Sequence, residues 1–106
     1  MSARPYRSVL YIPGSKERAL EKAMGLAADA IIFDLEDAVA PDEKPAARAL
    51  LARVLTDWDF GNRARIVRIN GFDTEWGYAD ARAMDEAIAR GAKIDAILIP
   101  KVNRAA

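Results

Sequence analysis

The sequence contains no cysteine and no histidine, and these two absences narrow its chemistry. Without cysteine the chain has neither disulfides nor a thiolate nucleophile, and a cytoplasmic location is the simplest expectation. Without histidine it lacks the commonest general base and the commonest ligand of transition metals. Any acid–base or metal chemistry must therefore come from carboxylates, lysine, tyrosine or backbone groups.

The sequence also lacks an excess of charge of either sign and any long apolar run. Sixteen basic residues balance sixteen acidic ones, so bulk charge predicts neither a nucleic-acid partner nor a membrane-surface partner. No apolar run approaches the roughly 20 residues of a membrane span, and the N-terminus has no signal-peptide apolar segment. With 52% hydrophobic and 30% charged residues, we expect one globular domain over residues 1–106, without an internal boundary.

Four short apolar runs recur along the chain and predict β-strands. They are rich in β-branched residues and nearly continuous, a pattern typical of parallel strands buried on both faces. They cover residues 8–13, 30–35, 65–70 and 95–100. Three segments with apolar residues at helical spacing lie between them. The order βαβαβαβ therefore predicts an α/β fold with right-handed crossovers.

The ends of the helices are predicted from capping residues. We expect Ser15 to cap the first helix and Asp42 to cap the second. The third helix is expected to begin at Thr74 or near Asp80 and to stop at Gly91. Two architectures share this order of elements, an open doubly wound sheet and the first half of a (β/α)8 barrel, and periodicity does not separate them.

Polar residues follow all four predicted strands at their carboxyl ends, where both architectures place their active sites. These residues are Pro13, Gly14, Ser15 and Lys16 after the first strand; Asp34, Glu36 and Asp37 after the second; Arg68 and Asn70 at the end of the third; and Lys101 after the fourth. Their convergence on one rim of the sheet favours a functional role for the set.

A purely structural role competes at each of these positions. Gly14 fits a simple turn as well as a phosphate cradle, and the acids fit a solvated loop. Arg68 has apolar neighbours that must face the other way, so it is expected on the inner face, within reach of Asp34 or Glu36. Ion pairing there and ligand binding are compatible, because carboxylates beside an arginine fix its guanidinium.

Four short motifs occur in order between Arg7 and Val102. They are Arg7-Ser8-x-Leu10-x-x-Pro13-Gly14 with Arg18, Lys22 and Ala23; Asp34-Leu35-Glu36-Asp37-Ala38-Val39 with Lys44, Ala46 and Arg48; Val67-Arg68-Ile69-Asn70; and Ile99-Pro100-Lys101-Val102. Together they resemble the citrate lyase β-subunit-like enzymes. This group includes malyl-CoA lyases and belongs with the 2-oxo-acid class II aldolases.

The resemblance implies a fold and an activity. The fold is the first four βα units of a TIM-type (β/α)8 barrel, with parallel strands in the order 1-2-3-4 and helices on one side. The activity is Mg²⁺-dependent aldol or Claisen cleavage of a 3-hydroxy acyl thioester of the citryl or malyl type. The thioester is carried on CoA or an acyl carrier protein, and the complete enzyme is expected to be a homo-oligomer.

The resemblance also implies roles for individual residues. Arg68 is the expected catalytic residue, because a fixed guanidinium stabilises a developing negative oxygen. Substrate contacts are expected from Arg68 together with Pro13, Gly14 and Lys101. The residues expected to support Arg68 and metal-bound water, without ligating the metal, are Asp34, Glu36, Asp37 and Asn70. Arg18 and Lys22 fit contacts with a CoA phosphate and equally a solvated helix face.

The chain is much shorter than a complete enzyme of this family. A (β/α)8 barrel needs about 250 residues, so we expect residues 1–106 to be an N-terminal half, incomplete and inactive alone. The metal ligands of the family, a Glu and an Asp, follow later strands and have no counterpart in this chain. Two alternatives stay open. They are a non-catalytic half-barrel assembly module, and an open doubly wound sheet that binds a phosphorylated ligand through Gly14.

Overall fold

The computed structural model describes residues 8–26 and 28–100. Its elements in chain order are β1 (Val9–Pro13), α1 (Glu17–Gly25), β2 (Ala30–Asp34), a 3-10 helix (Pro41–Glu43), α2 (Lys44–Asp57), β3 (Ala64–Arg68), α3 (Gly77–Ala89) and β4 (Ala96–Leu98). The strands form one parallel sheet in the order β1-β2-β3-β4. This confirms the predicted order and contradicts the doubly wound alternative, which places β1 inside the sheet.

One face of the sheet carries the hydrophobic core. Side chains alternate along a strand, and the buried residues on this face include Ile12, Phe33 and Val67. All three helices contribute to the same cluster: α1 supplies Leu20 and Ala23; α2 supplies Ala47, Leu51, Val54 and Leu55; and α3 supplies Met84 and Ala87. The helices therefore cover one face, as the barrel prediction requires.

The opposite face of the sheet has no helix of residues 8–26 or 28–100 packed on it, and it exposes apolar side chains. The register places Tyr11, Ile32, Ile66 and Ala96 side by side in one row. Tyr11 is 62% exposed, and Leu98, at the carboxyl end of β4, is 40% exposed. In a (β/α)8 barrel this face is the packed interior. We call it the inner face.

The predicted caps of the first two helices are wrong. The N-cap of α1 is Lys16, which makes no side-chain capping bond. The Oγ of Ser15 is instead buried without a hydrogen-bond partner among the described residues. Asp42 lies inside the 3-10 helix, and Glu43 is the N-cap of α2. The reason is Pro41, whose fixed φ starts a helical turn before α2 itself begins.

The third helix begins at Gly77, between the two predicted starts. Thr74 closes a turn instead, because its amide and its hydroxyl both donate to the carbonyl of Gly71. A Cβ at position 77 would meet that same carbonyl, so only glycine lets the helix start so close to the loop. The predicted stop is confirmed, since Gly91 follows the C-cap residue Arg90 and has a φ of 106°. No helix in the described segments has both the length and the apolarity needed to cross a bilayer.

Candidate functional site

An ion pair between Arg68 and Asp34 lies at the carboxyl end of the sheet. The two residues are register partners on β3 and β2. Arg68 donates from Nε to Oδ1 at 2.9 Å and from Nη2 to Oδ2 at 2.7 Å. The side chain of Asp34 is 4% exposed and that of Arg68 is 27% exposed. The predicted placement of Arg68 on the inner face, against an acid of β2, is therefore confirmed.

The Asp34 carboxylate is fully engaged by hydrogen bonds. Besides Arg68, it accepts the backbone N–H of Glu36 at 2.8 Å and that of Ala38 at 3.0 Å. A carboxylate offers about four lone-pair sites, and here all are used. Asp34 therefore binds both the guanidinium of Arg68 and the start of the loop, and it has no lone pair left for a metal ion.

These contacts set the ionisation of both partners. Burial by itself would raise the pKa of Asp34, but the bonds from Arg68 and from the two amides outweigh it and lower this pKa below its ordinary value. The hydrogen bond to Asp34 raises the pKa of Arg68 further, although burial opposes the rise. The pair is consequently charged throughout the physiological range.

Two further acids flank the guanidinium from the loop after β2. Arg68 Nε lies 3.5 Å from Glu36 Oε1, and Arg68 Nη2 lies 3.8 Å from Asp37 Oδ2. Burial raises the pKa of Glu36, the charge of Asp37 raises it further, and Arg68 opposes both. Asp37 is 80% exposed. The third guanidinium nitrogen, Nη1, has no hydrogen-bond partner among the described residues.

Three carboxylates around one guanidinium leave this rim negatively charged, which favours a nearby cation. Nevertheless, residues 8–26 and 28–100 contain no group of three or more acids arranged to hold a metal ion. The Asp34 carboxylate is saturated by Arg68 and two backbone amides, and Glu36 and Asp37 lie against the same guanidinium.

Lys44 and Asn70 also donate hydrogen bonds to backbone carbonyls of the loop after β2. Lys44 Nζ donates to the carbonyls of Leu35 at 3.1 Å and Glu36 at 2.7 Å. Asn70 Nδ2 donates to the Leu35 carbonyl at 2.9 Å. The structure therefore places Asn70 in contact with the loop and not with Arg68. Sequence reasoning gave Lys44 no role at the site, although it belongs to the second motif.

Asp80 is a further buried acid whose role the sequence analysis missed. It is fully buried and accepts Arg48 Nε at 2.8 Å, the backbone N–H of Asn70 at 3.0 Å and Asn70 Nδ2 at 2.6 Å. The available signal was periodicity, because Asp80 shares a helical stripe with Met84 and Ala87. A charged residue in an apolar stripe indicates a buried partner.

Of the other residues predicted to contact substrate, two lie beside Asp34 and two lie on the surface of α1. Pro13 lies in the same register row as Asp34, and the amide of Gly14 donates to the Asp34 carbonyl at 2.8 Å. A Cβ on Gly14 would stand 2.8 Å from a Leu35 methyl group, so close packing accounts for this glycine. Arg18 and Lys22 are exposed on α1. Lys101 lies outside the described residues.

From the Asp34–Arg68 pair we predict how the free energy of unfolding changes at acidic pH. A carboxyl whose pKa is lowered by folding stabilises the folded state above its unfolded pKa, and this contribution is lost as pH falls through the folded value. Asp34→Asn is therefore expected to lower the free energy of unfolding by about 2–3 kcal/mol at pH 7. The difference from wild type should shrink well below pH 4, which urea unfolding at pH 7 and pH 3 measures.

The matched control is Asp37→Asn, which removes a mostly exposed acid 3.8 Å from the same guanidinium. It should change stability by less than about 0.5 kcal/mol at either pH. An equal loss at both pH values in Asp34→Asn would contradict the assignment of the acid dependence to this carboxyl.

Comparison with known proteins gives one consistent family. A family model described as HpcH/HpaI aldolase/citrate lyase matches residues 7–106. A (3S)-malyl-CoA thioesterase of Cereibacter sphaeroides is 72% identical over 104 residues, which cover 98% of this chain and 35% of the relative. An L-malyl-CoA/beta-methylmalyl-CoA lyase of the same species is 45% identical over 104 residues, which cover 98% and 32%. The chain thus spans about a third of the length of these curated relatives.

A solved structure shares the fold. It is the protein CitE from Mycobacterium tuberculosis in complex with magnesium, acetoacetate and coenzyme A. It is 35% identical to this chain with a TM-score of 0.68, over 89% of this chain and 32% of that one. The similarity agrees with the order of strands and helices described above.

Proposed function

Because the chain belongs to the HpcH/HpaI aldolase/citrate lyase family, we propose that it forms part of an enzyme acting on a malyl-type thioester of coenzyme A. We use the name complete barrel for residues 1–106 together with the further βα units of a (β/α)8 barrel. The observation that carries the proposal is the bidentate Arg68–Asp34 pair at the rim of the inner face.

The geometry of Arg68 suits reactions of thioesters. Both hydrolysis of a thioester and cleavage of the bond β to it place negative charge on the thioester oxygen. A guanidinium already fixed by Asp34 needs no reorientation to stabilise that charge, and its Nη1 has no partner among the described residues. Arg68 is accordingly the proposed catalytic residue, supported by Asp34, Glu36 and Asp37.

Hydrolysis is the proposed reaction, because the 72% identical relative is a thioesterase. Carbon–carbon cleavage, which the sequence motifs imply, is the second candidate, and 45% identity with a lyase favours it. Coenzyme A is preferred over an acyl carrier protein as the carrier, since the solved CitE structure contains coenzyme A. That structure also contains magnesium, and we propose Mg²⁺ for the complete barrel, with ligands from outside the described residues.

The remaining proposed contacts with the substrate are inferred only from where the residues lie in the fold. Arg18 and Lys22 lie exposed one turn apart on α1 and are proposed to contact CoA phosphates. Pro13 and Gly14 are proposed to border the substrate, because they lie beside Asp34 at the rim. Three expectations from the sequence stay predictions. They are a substrate contact from Lys101, a homo-oligomeric enzyme and a cytoplasmic location.

The test is product analysis with (3S)-malyl-CoA and Mg²⁺. Hydrolysis by the complete barrel yields malate and free CoA, which a thiol reagent detects. Cleavage between C2 and C3 of the malyl group yields acetyl-CoA and glyoxylate without a free thiol. We expect thiol release that stops when EDTA removes the metal. Acetyl-CoA as the sole thioester product would support the lyase instead, and no turnover at all would favour the non-catalytic module.

A further inference from the structure

Lys44 is a buried cation without a carboxylate partner. Its residue is 5% exposed, and no acid of the described segments lies within ion-pair distance of it. Burying a charge is costly unless hydrogen bonds or π faces compensate. Here Nζ donates to the carbonyls of Leu35 and Glu36 and lies 5.2 Å from the centre of the Trp76 ring. The ammonium is thus compensated mainly by the backbone of the rim loop.

Glu36 is hydrogen-bonded at both its backbone N–H and its backbone carbonyl, and Lys44 supplies the bond to the carbonyl. On one side, Asp34 accepts the N–H groups of Glu36 and Ala38. On the other side, Lys44 binds the carbonyls of Leu35 and Glu36 at 3.1 and 2.7 Å. Because both the amide and the carbonyl of Glu36 are fixed, its side chain leaves the backbone in a set direction. That direction brings Oε1 to 3.5 Å from Arg68 Nε.

Four charged groups of the described residues act on the Glu36 carboxyl. Arg68 on β3 and Lys44 on α2 are positive, whereas Asp34 on β2 and Asp37 in the same loop are negative. Arg68 and Lys44 therefore stand on two sides of the loop. Loss of Lys44 would leave three neighbouring acids with Arg68 as their one cation.

We propose that Lys44 is a positioning residue for this site. It fixes Glu36 against Arg68 through the carbonyls of Leu35 and Glu36, and it thereby holds the guanidinium in the orientation presented to the substrate. The inference depends on the proposed function only for its kinetic readout, since the placement of Glu36 can be measured without turnover.

The test compares two cations of α2 that lie one turn apart. Lys44→Met removes the charge and the donors at similar length. Arg48→Met, the control, breaks the buried bond to Asp80, which meets the rim loop only indirectly, through Asn70. With the complete barrel and (3S)-malyl-CoA, Lys44→Met is expected to lower kcat about 10²-fold, because small displacements of catalytic groups cost rates of that order. Its KM should change much less.

Two further readouts separate positioning from general destabilisation. With Lys44 present, Arg68→Ala should raise the carboxyl pKa of Glu36, measured by ¹³C NMR; in Lys44→Met, where Glu36 has lost its place beside Arg68, Arg68→Ala should no longer change that pKa, whereas Arg48→Met should leave the response to Arg68→Ala intact. Lys44→Arg keeps a positive donor and should restore kcat to within about 10-fold of wild type. Should Lys44→Met not fold, Lys44→Gln, which keeps an amide donor without charge, is measured in its place.

The outcomes distinguish this inference from the proposed function. A wild-type complete barrel that does not act on (3S)-malyl-CoA contradicts the proposed function, while the NMR titration still tests Lys44. A Glu36 pKa that still responds fully to Arg68→Ala in the Lys44→Met background overturns the positioning role. An equal fall of kcat in Lys44→Met and Arg48→Met also overturns it, because the loss would then reflect stability.

Discussion

Replacing Arg68 by alanine in the complete barrel is expected to lower kcat by about 10²–10³-fold. The magnitude is that of losing one preorganised donor to a developing oxyanion. The fall should appear in kcat and in kcat/KM alike, since the interaction is made in the transition state. Arg68→Lys should recover little of the rate, because one ammonium cannot both hold Asp34 at two oxygens and present a further N–H.

The control for this experiment is Arg53→Ala. Arg53 is an exposed arginine of α2 whose carboxylate partner, Glu17, lies 3.9 Å away. Its loss should leave kcat within about 2-fold of wild type, because exposed pairs of this kind contribute little. Normal turnover by the Arg68→Ala barrel would refute the catalytic assignment.

Removing the Asp80 carboxylate is expected to cause a large loss of stability. Asp80→Ala leaves Arg48 without its acid and frees both the amide and the side chain of Asn70. Breaking a buried ion pair from one side costs about 3–5 kcal/mol. Chemical denaturation should show a correspondingly lower midpoint, with the slope unchanged.

An exposed ion pair of the same helix is the matched control. Arg82 and Glu86 lie one turn apart on α3, with side chains 82% and 62% exposed. Glu86→Ala should change the free energy of unfolding by less than about 0.5 kcal/mol. Similar losses in Glu86→Ala and Asp80→Ala would show that the buried network contributes nothing specific.

The sheet and the Arg68 pair were predictable from the sequence for the same reason. Apolar runs spaced by helical segments predict parallel strands, the family resemblance gives their order, and the alternation of side chains assigns each residue to a face. Val67 is buried, so Arg68 must point to the inner face, and the adjacent strand supplies Asp34. Local pattern and strand adjacency together determine this contact.

Contacts made across layers were not predictable in this way. Lys44 reaches the loop after β2, and Arg48 reaches Asp80 on another helix. Neither contact follows from periodicity, because a helical pattern tells which side of α2 is buried but not which polar group it meets. Ser15 illustrates the same limit, since its hydroxyl could cap α1 only if the helix began one residue earlier than it does.

The order of strand pairing has a consequence for synthesis of the protein. Each strand pairs with the strand before it in the sequence, so a strand leaving the ribosome meets a partner that has already been made. This sequential order disfavours the pairing of a nascent strand with the wrong neighbour. The inner face, with Tyr11 and Leu98 exposed, is an apolar surface that promotes association of nascent chains for as long as it stays uncovered.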